Sequence, residues 1–220
     1  MLSPEGQGRT EEEASKKPGL VRASGVPEAH ARRARADTNG RARSPQALRC
    51  ASVDVIDELL ANNRAFADSL PERHLDVRPS RRLAIVTCMD SRLDVFQALG
   101  LRDGEAHILR NAGGVITDDV IRSLAVSQRR LGTREVMLIH HSDCGMQKLT
   151  DDGFRAELQE ATGVAPAFAI ESFADLDADV RQSLLRVRRS PFLAHRDGVR
   201  GFVYDVDSQR LREVVLEPER

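Results

Sequence analysis

The chain has 220 residues, 40% hydrophobic and 30% charged, with a formal net charge of −1; this suits one soluble domain plus a tail and argues against a global basic field for nucleic acid or anionic membrane. Trp is absent and Tyr occurs once, no apolar run approaches the roughly 18 residues of a membrane span, and the first residues lack the apolar core of a secretory signal. Three cysteines, Cys50, Cys88 and Cys144, make a poor disulfide framework and fit a reducing, cytoplasmic setting, where cysteines more often bind metal or react.

Residues 1–49 are rich in Gly, Pro, Ser, Glu and Arg and carry no apolar periodicity. Such composition buries too little apolar surface to offset ordering entropy, so a disordered extension is expected. A basic arm built on Arg32, Arg33, Arg35, Arg41 and Arg43 is the other reading. Residues 50–220 are expected to hold the folded domain. Ser52 can cap a helix whose apolar residues Val55, Ile56, Leu59, Leu60 and Phe66 recur at helical spacing. The run Leu83-Ala84-Ile85-Val86-Thr87-Cys88 reads as a buried strand. A polar turn, Met89-Asp90-Ser91-Arg92, leads into a short helix through Leu99.

A second strand is expected over Ala106–Arg110, ending in Asn111-Ala112-Gly113-Gly114. Thr117 then caps a helix with Asp118 and Asp119 in its first turn, where the dipole favours acids. Val120, Ile121, Leu124, Ala125 and Leu131 form its apolar stripe, and Gly132 stops it. Val136–His141 is a third buried strand. Helices are expected near 153–161 and 175–189, and a terminal hairpin over 201–206 and 211–216. Strands alternating with helices imply an α/β fold: a mostly parallel central sheet flanked by helices on both faces.

In open α/β sheets, ligand sites lie beyond the C-terminal ends of the strands. Three polar clusters fall there: Cys88 to Arg92, Arg110 to Gly114, and His141 to Gly145. Thiolate and imidazole are preferred zinc donors. His141 and Cys144 can share one metal if the chain turns between them, a turn that Gly145 would ease. Cys88 arrives from another strand and completes a Cys2His set with room for water. Taken one at a time, these residues read more readily as small buried hydrophobes and a satisfied core histidine, and only their coincidence at three strand ends balances the two readings. Asp90 can accept a hydrogen bond from a water on the metal, with Arg92 holding it ionised; alternatively Asp90 fills the fourth position itself. Gly113 and Gly114 permit a close backbone approach that could line a substrate pocket, or a plain turn. His140 should point away from His141. His107, His195 and Cys50 have no visible role.

The three clusters together are specific. Cys88-Met89-Asp90-Ser91-Arg92 resembles the C-x-D-S-R motif of β-class carbonic anhydrases, His141-Ser142-Asp143-Cys144-Gly145 resembles their H-x-x-C-G motif, and Arg110-Asn111-Ala112-Gly113-Gly114 is similar to the R-N-A-G-G between them. Order and spacing agree, and the resemblance covers about residues 52–217. It implies zinc on Cys88, His141 and Cys144, a catalytic dyad of Asp90 and Arg92, and reversible hydration of CO2 to bicarbonate by a hydroxide on that zinc. It also implies four parallel strands with an added edge strand, and a homodimer or higher homo-oligomer in which the helix from about Ser52 wraps a neighbouring subunit. Neither nucleic acid nor membrane is an expected partner. Carbonyl sulfide and carbon disulfide hydrolases share the scaffold and zinc set, so the motifs leave that alternative open. A non-catalytic zinc protein with Asp90 as fourth ligand is the other.

Overall fold

The computed structural model describes residues 54–216. The expectations for residues 1–49, for Cys50 and for a Ser52 cap lie outside the described residues. The chain divides into two compact units, Met1–Asn63 and Arg64–Arg220. Of the first, only residues 54–63 are described, and they open helix α1, Val55–Asp68. Asp54 begins it: its Oδ1 accepts from the Ile56 N–H at 3.1 Å. No residue of α1 is buried. Its apolar residues Val55, Ile56, Leu59, Leu60 and Phe66 are all exposed.

The second unit is built on one five-stranded sheet. Its elements follow in the order β1 (Leu83–Cys88), α2 (Val95–Leu99), β2 (Ala106–Asn111), α3 (Asp118–Leu131), β3 (Glu135–His141), α4 (Asp151–Thr162), α5 (Leu176–Arg189), β4 (Val199–Tyr204) and β5 (Leu211–Val214). Spatial order is β2-β1-β3-β4-β5. The first four are parallel, and β5 pairs antiparallel with β4 at the edge. This is the expected mostly parallel sheet with an added edge strand. The first strand of the terminal hairpin begins and ends two residues before the expected 201–206, because Asp205 to Arg210 form the turn: Asp205 N donates to the Arg210 carbonyl and Gln209 N to the Asp205 carbonyl; the second strand stops at Val214.

Alternation along the central strands divides the core between two faces. Ala84, Val86, Val136 and Leu138 join Leu124 of α3 and Val180, Leu184 and Val187 of α5. Ile85 and Ile139 turn the other way, towards Leu93, Val95 and Tyr204. Each fully buried Ile or Leu stabilises the fold by about 1.5–3 kcal/mol relative to exposure. Gly201 lets α5 close on β4, since a Cβ there would lie 2.5 Å from Val180 Cγ1.

Helix ends obey the sequence. The Thr117 hydroxyl accepts from Val120 N, and Gly132 ends α3 with φ 79°. The Thr150 and Asp175 side chains cap α4 and α5 in the same way. These caps satisfy amide groups that a helix leaves unpaired in its first turn. They also set where each connecting loop leaves the sheet edge.

Candidate metal centre

Cys88 is the last residue of β1 and His141 the last of β3. These strands are direct parallel neighbours, so both residues reach the same C-terminal edge. The Thr87 hydroxyl donates to the Ile139 carbonyl at 2.8 Å and locks the two ends together. Cys144 follows across a tight turn. Donor atoms of Cys88, His141 and Cys144 all lie within 4.8 Å of one another, and all three residues are buried. Both cysteines are free.

The turn is made differently from the sequence expectation. Gly145 keeps an ordinary backbone, and Asp143 takes the left-handed conformation at φ 53°. Asp is among the few side chains that tolerate that region. Its carboxylate is held on both sides: Lys148 Nζ donates to Oδ1 at 2.7 Å, and Arg92 Nη1 to Oδ2 at 2.9 Å.

His141 Nδ1 lies 2.9 Å from the Ser142 carbonyl, which makes Nδ1 the protonated nitrogen. Nε2 is then left with a lone pair, buried and without a hydrogen-bond partner. A buried polar atom left unpaired is costly unless a ligand completes it. The sulfurs carry matching electrostatics. The Cys144 thiol beside it pulls the Cys88 thiol well below its ordinary value, and the Cys88 sulfur and then burial push Cys144 up. Burial opposes charge on His141, but the Cys88 sulfur, the Ser142 carbonyl and Asp90 outweigh it and raise its pKa. Three soft or borderline donors with a bare imidazole lone pair fit a divalent ion of the zinc type.

Asp90 stands beside this cluster, its Oδ2 3.7 Å from His141 Nε2. Arg92 grips it as a fork: Nε donates to Oδ1 at 3.0 Å and Nη2 to Oδ2 at 2.8 Å, with the Arg92 backbone N–H on Oδ1 at 2.9 Å. The Arg92 side chain is the main reason that the Asp90 carboxyl lies far below the usual range.

The Arg110 to Gly114 segment supports the same loop from beneath. Arg110 Nε donates to the Cys88 carbonyl at 2.8 Å and Nη2 to the Asp90 carbonyl at 2.7 Å. Met89 N donates to the Asn111 carbonyl. Gly113 and Gly114 have φ of 83° and 72°. A Cβ on Gly114 would sit 2.8 Å from Cys88 N, so the double-glycine turn lies directly on the backbone of a donor residue. Val115, Met146, Ile170 and Phe173 surround Cys88 and Cys144 with apolar side chains.

His140 turns to the opposite side, as alternation requires. Its Nε2 lies 2.6 Å from Asp179 Oδ2 of α5, and its ring lies tilted against that of Phe173, 5.5 Å between centroids. His107 bonds the Ser127 hydroxyl and is not at the site. Sequence reasoning assigned no role to Arg110 or Asp143. Both lie inside motifs that it singled out, and the motif boundaries were the available signal.

Residues 83–169 match the family model described as carbonic anhydrase. The chain is 52% identical over 162 residues to β-carbonic anhydrase 1 of Mycobacterium tuberculosis, covering 74% of this chain and 99% of that protein. It is 33% identical over 157 residues to the carbon disulfide hydrolase of Saccharolobus solfataricus, covering 60% of this chain and 77% of the other. Among solved structures, the carbonic anhydrase of Streptococcus mutans superposes with a TM-score of 0.70 at 44% identity, covering 74% of this chain and 98% of that one. With more than half its aligned residues shared along nearly the full length of the mycobacterial protein, the chain belongs to the β-carbonic anhydrase family.

Proposed function

We propose that the protein is a zinc-dependent carbonic anhydrase that interconverts CO2 and bicarbonate, with Cys88, His141 and Cys144 as the zinc ligands and Asp90 and Arg92 as the working pair. The observation that carries this reading is the juxtaposition of a three-donor cluster within 4.8 Å and a carboxylate pinned beside it by a bidentate arginine. When bound, zinc supplies the Lewis acidity that brings the pKa of water to about 7.

The chain's own residues do the rest. Asp90, ionised through Arg92, accepts a hydrogen bond from the attacking water at Oδ2, the oxygen that faces the donor cluster, and so orients its lone pair. Arg92 keeps Asp90 from swinging onto the metal, since both carboxylate oxygens are already engaged. That engagement favours catalysis over the reading of Asp90 as permanent fourth ligand. Val115, Met146 and Phe173 offer a dry wall to a small linear electrophile, and Gly113 and Gly114 line it with backbone.

Carbon dioxide is preferred over carbon disulfide as substrate on similarity. The carbonic anhydrase relative aligns over 99% of its length at 52% identity, the disulfide hydrolase over 77% at 33%. We also propose a homo-oligomer. The apolar residues of α1 are exposed, and β2 stands at an open sheet edge. Unpaired edges and apolar faces of this kind are commonly covered by another subunit. A cytoplasmic setting suits the free thiols. No described helix is long and apolar enough to cross a membrane.

The test is stopped-flow CO2 hydration by the full-length zinc-loaded protein beside carbon disulfide and carbonyl sulfide hydrolysis. Brisk CO2 turnover is expected, with Asp90→Asn slower by roughly 100-fold or more at unchanged zinc content. Rapid sulfide release with negligible CO2 hydration would overturn the substrate. A fully active Asp90→Asn would overturn the dyad.

A further inference from the structure

At the opposite end of the sheet, a cavity of about 610 Å³ opens where β1 and β3 begin. Its volume lies within the ~300–1,000 Å³ typical of small-molecule sites. Arg78, Arg82, Arg129, Arg130 and Arg134 line it, and Asp76 is the single acid among the lining residues. The whole chain carries a net charge of only −1, so this is a local excess that the composition does not demand.

Arginines on a protein surface usually find carboxylates. Arg81, one residue from Arg82, pairs with Glu105, and Arg73 pairs with Asp103. Among the described residues, the side chains of Arg78, Arg82, Arg130 and Arg134 have neither an ion pair nor a hydrogen bond, and Arg129 bonds only the Phe192 carbonyl. Arg129 and Arg130 lie in the last turn of α3, where they offset the helix dipole. That role does not extend to Arg78, Arg82 and Arg134, which come from two other segments.

The wall is preorganised. Arg82 adopts a left-handed backbone at φ 53°, and its carbonyl accepts from both Arg134 N and Glu135 N. This holds the two arginine-bearing segments side by side. Buried Gln128 accepts from Ala194 N and His195 N and donates to the His195 carbonyl, which anchors His195 at the rim. Like charges gathered on a stiff frame repel one another, and an anion of several charges relieves that.

We propose that this cavity binds a soluble anion carrying two or more phosphate charges, gripped by guanidinium forks from Arg78, Arg82, Arg130 and Arg134. Guanidinium geometry matches phosphate oxygens bidentately. The site is separate from the metal centre: β3 runs from Glu135 at the cavity end to His141 at the other, about 20 Å at the usual rise per residue.

The experiment is isothermal titration of the full-length, zinc-loaded protein with inorganic pyrophosphate at physiological ionic strength. The Arg130→Ala/Arg134→Ala double variant is run in parallel, with the Arg188→Ala/Arg210→Ala double variant as a charge-matched control at two exposed positions outside the cavity. Both exchanges keep the backbone contacts and the metal site, so heat from zinc chelation would appear equally in all three proteins. Saturable binding is expected in the parent and the control, weakened roughly tenfold or more in the cavity variant. Orthophosphate should bind more weakly than pyrophosphate. Three outcomes would overturn the proposal: no saturable heat, equal binding by the cavity variant, or a polyglutamate peptide binding as tightly as pyrophosphate. Binding only to vesicles that contain phosphoinositide, with no response to pyrophosphate, would overturn it too.

Discussion

Arg92 carries two carboxylates on one guanidinium. Its Nε and Nη2 hold Asp90, while Nη1 holds the Asp143 carboxylate and Nη2 also reaches the Asp143 carbonyl. Asp143 in turn is fixed by Lys148, and Lys148 first and Arg92 second depress its pKa to about 2. Asp143 therefore acts through Arg92 and is a positioning residue. Asp143→Asn keeps an acceptor and tolerates φ 53°, but removes the charge that steadies the guanidinium. Its turnover should fall about two- to fivefold, the scale of a partly exposed ion pair, with KM and zinc content little changed. An unchanged kcat would show that Asp90 alone orders Arg92. The hold of Arg92 on Asp90 was legible in the sequence, and its contact with Asp143 was not. Arg92 and Asp143 are 51 residues apart, and only the parallel pairing of β1 with β3 brings them together.

At the scale of elements, the sheet was legible where burial is two-sided. Leu83–Cys88 is a strand with the boundaries that its apolar run suggests, because a parallel strand covered on both faces has few polar positions to confuse the pattern. The caps of α3 were legible for a different reason: Thr117 and Gly132 act through their own local chemistry. The turn after β3 misled, since glycine is the usual left-handed residue and here Asp143 takes that role. The amphipathic pattern of α1 was readable too, but periodicity cannot tell a core face from one that awaits a partner. The double-glycine turn offers a controlled test. Gly132 and Gly114 both have positive φ, yet a Cβ on Gly132 meets nothing within 4 Å while one on Gly114 meets Cys88 N. Gly132→Ala should cost about 1 kcal/mol from backbone strain alone, with zinc affinity intact. Gly114→Ala should lose more, about 2–4 kcal/mol, and should weaken zinc binding in a competition assay with a chromogenic chelator. Equal losses in the two variants would mean that the turn does not press on the Cys88 backbone.

Across the whole molecule, ion pairs tie the sheet's antiparallel edge strand to α5 and to its neighbour β4. Asp177 of α5 meets Arg212 of β5 at 2.6 Å, and Arg200 of β4 meets Glu213 of β5 at the same distance. The Arg212 side chain lowers the Asp177 pKa, and Arg200 lowers that of Glu213. A carboxyl whose folded pKa is depressed binds its proton more readily when unfolded. Its contribution is therefore complete above the unfolded value of about 4 and disappears as pH falls through the folded one. The unfolding free energy should be flat from neutrality to about pH 5 on this account and decline below about pH 4. Acid also protonates the thiolates, so metal loss would add to any decline measured on one protein alone. Comparing Asp177→Asn with the parent at each pH removes that shared part. The variant should be less stable at neutral pH by under about 1 kcal/mol, as befits a pair that water still reaches. That deficit should shrink towards zero as urea titrations are moved into acid. A deficit that stays constant with pH would mean that Asp177 works through packing or hydrogen bonding of its neutral form, and that its charge does not hold α5 against β5.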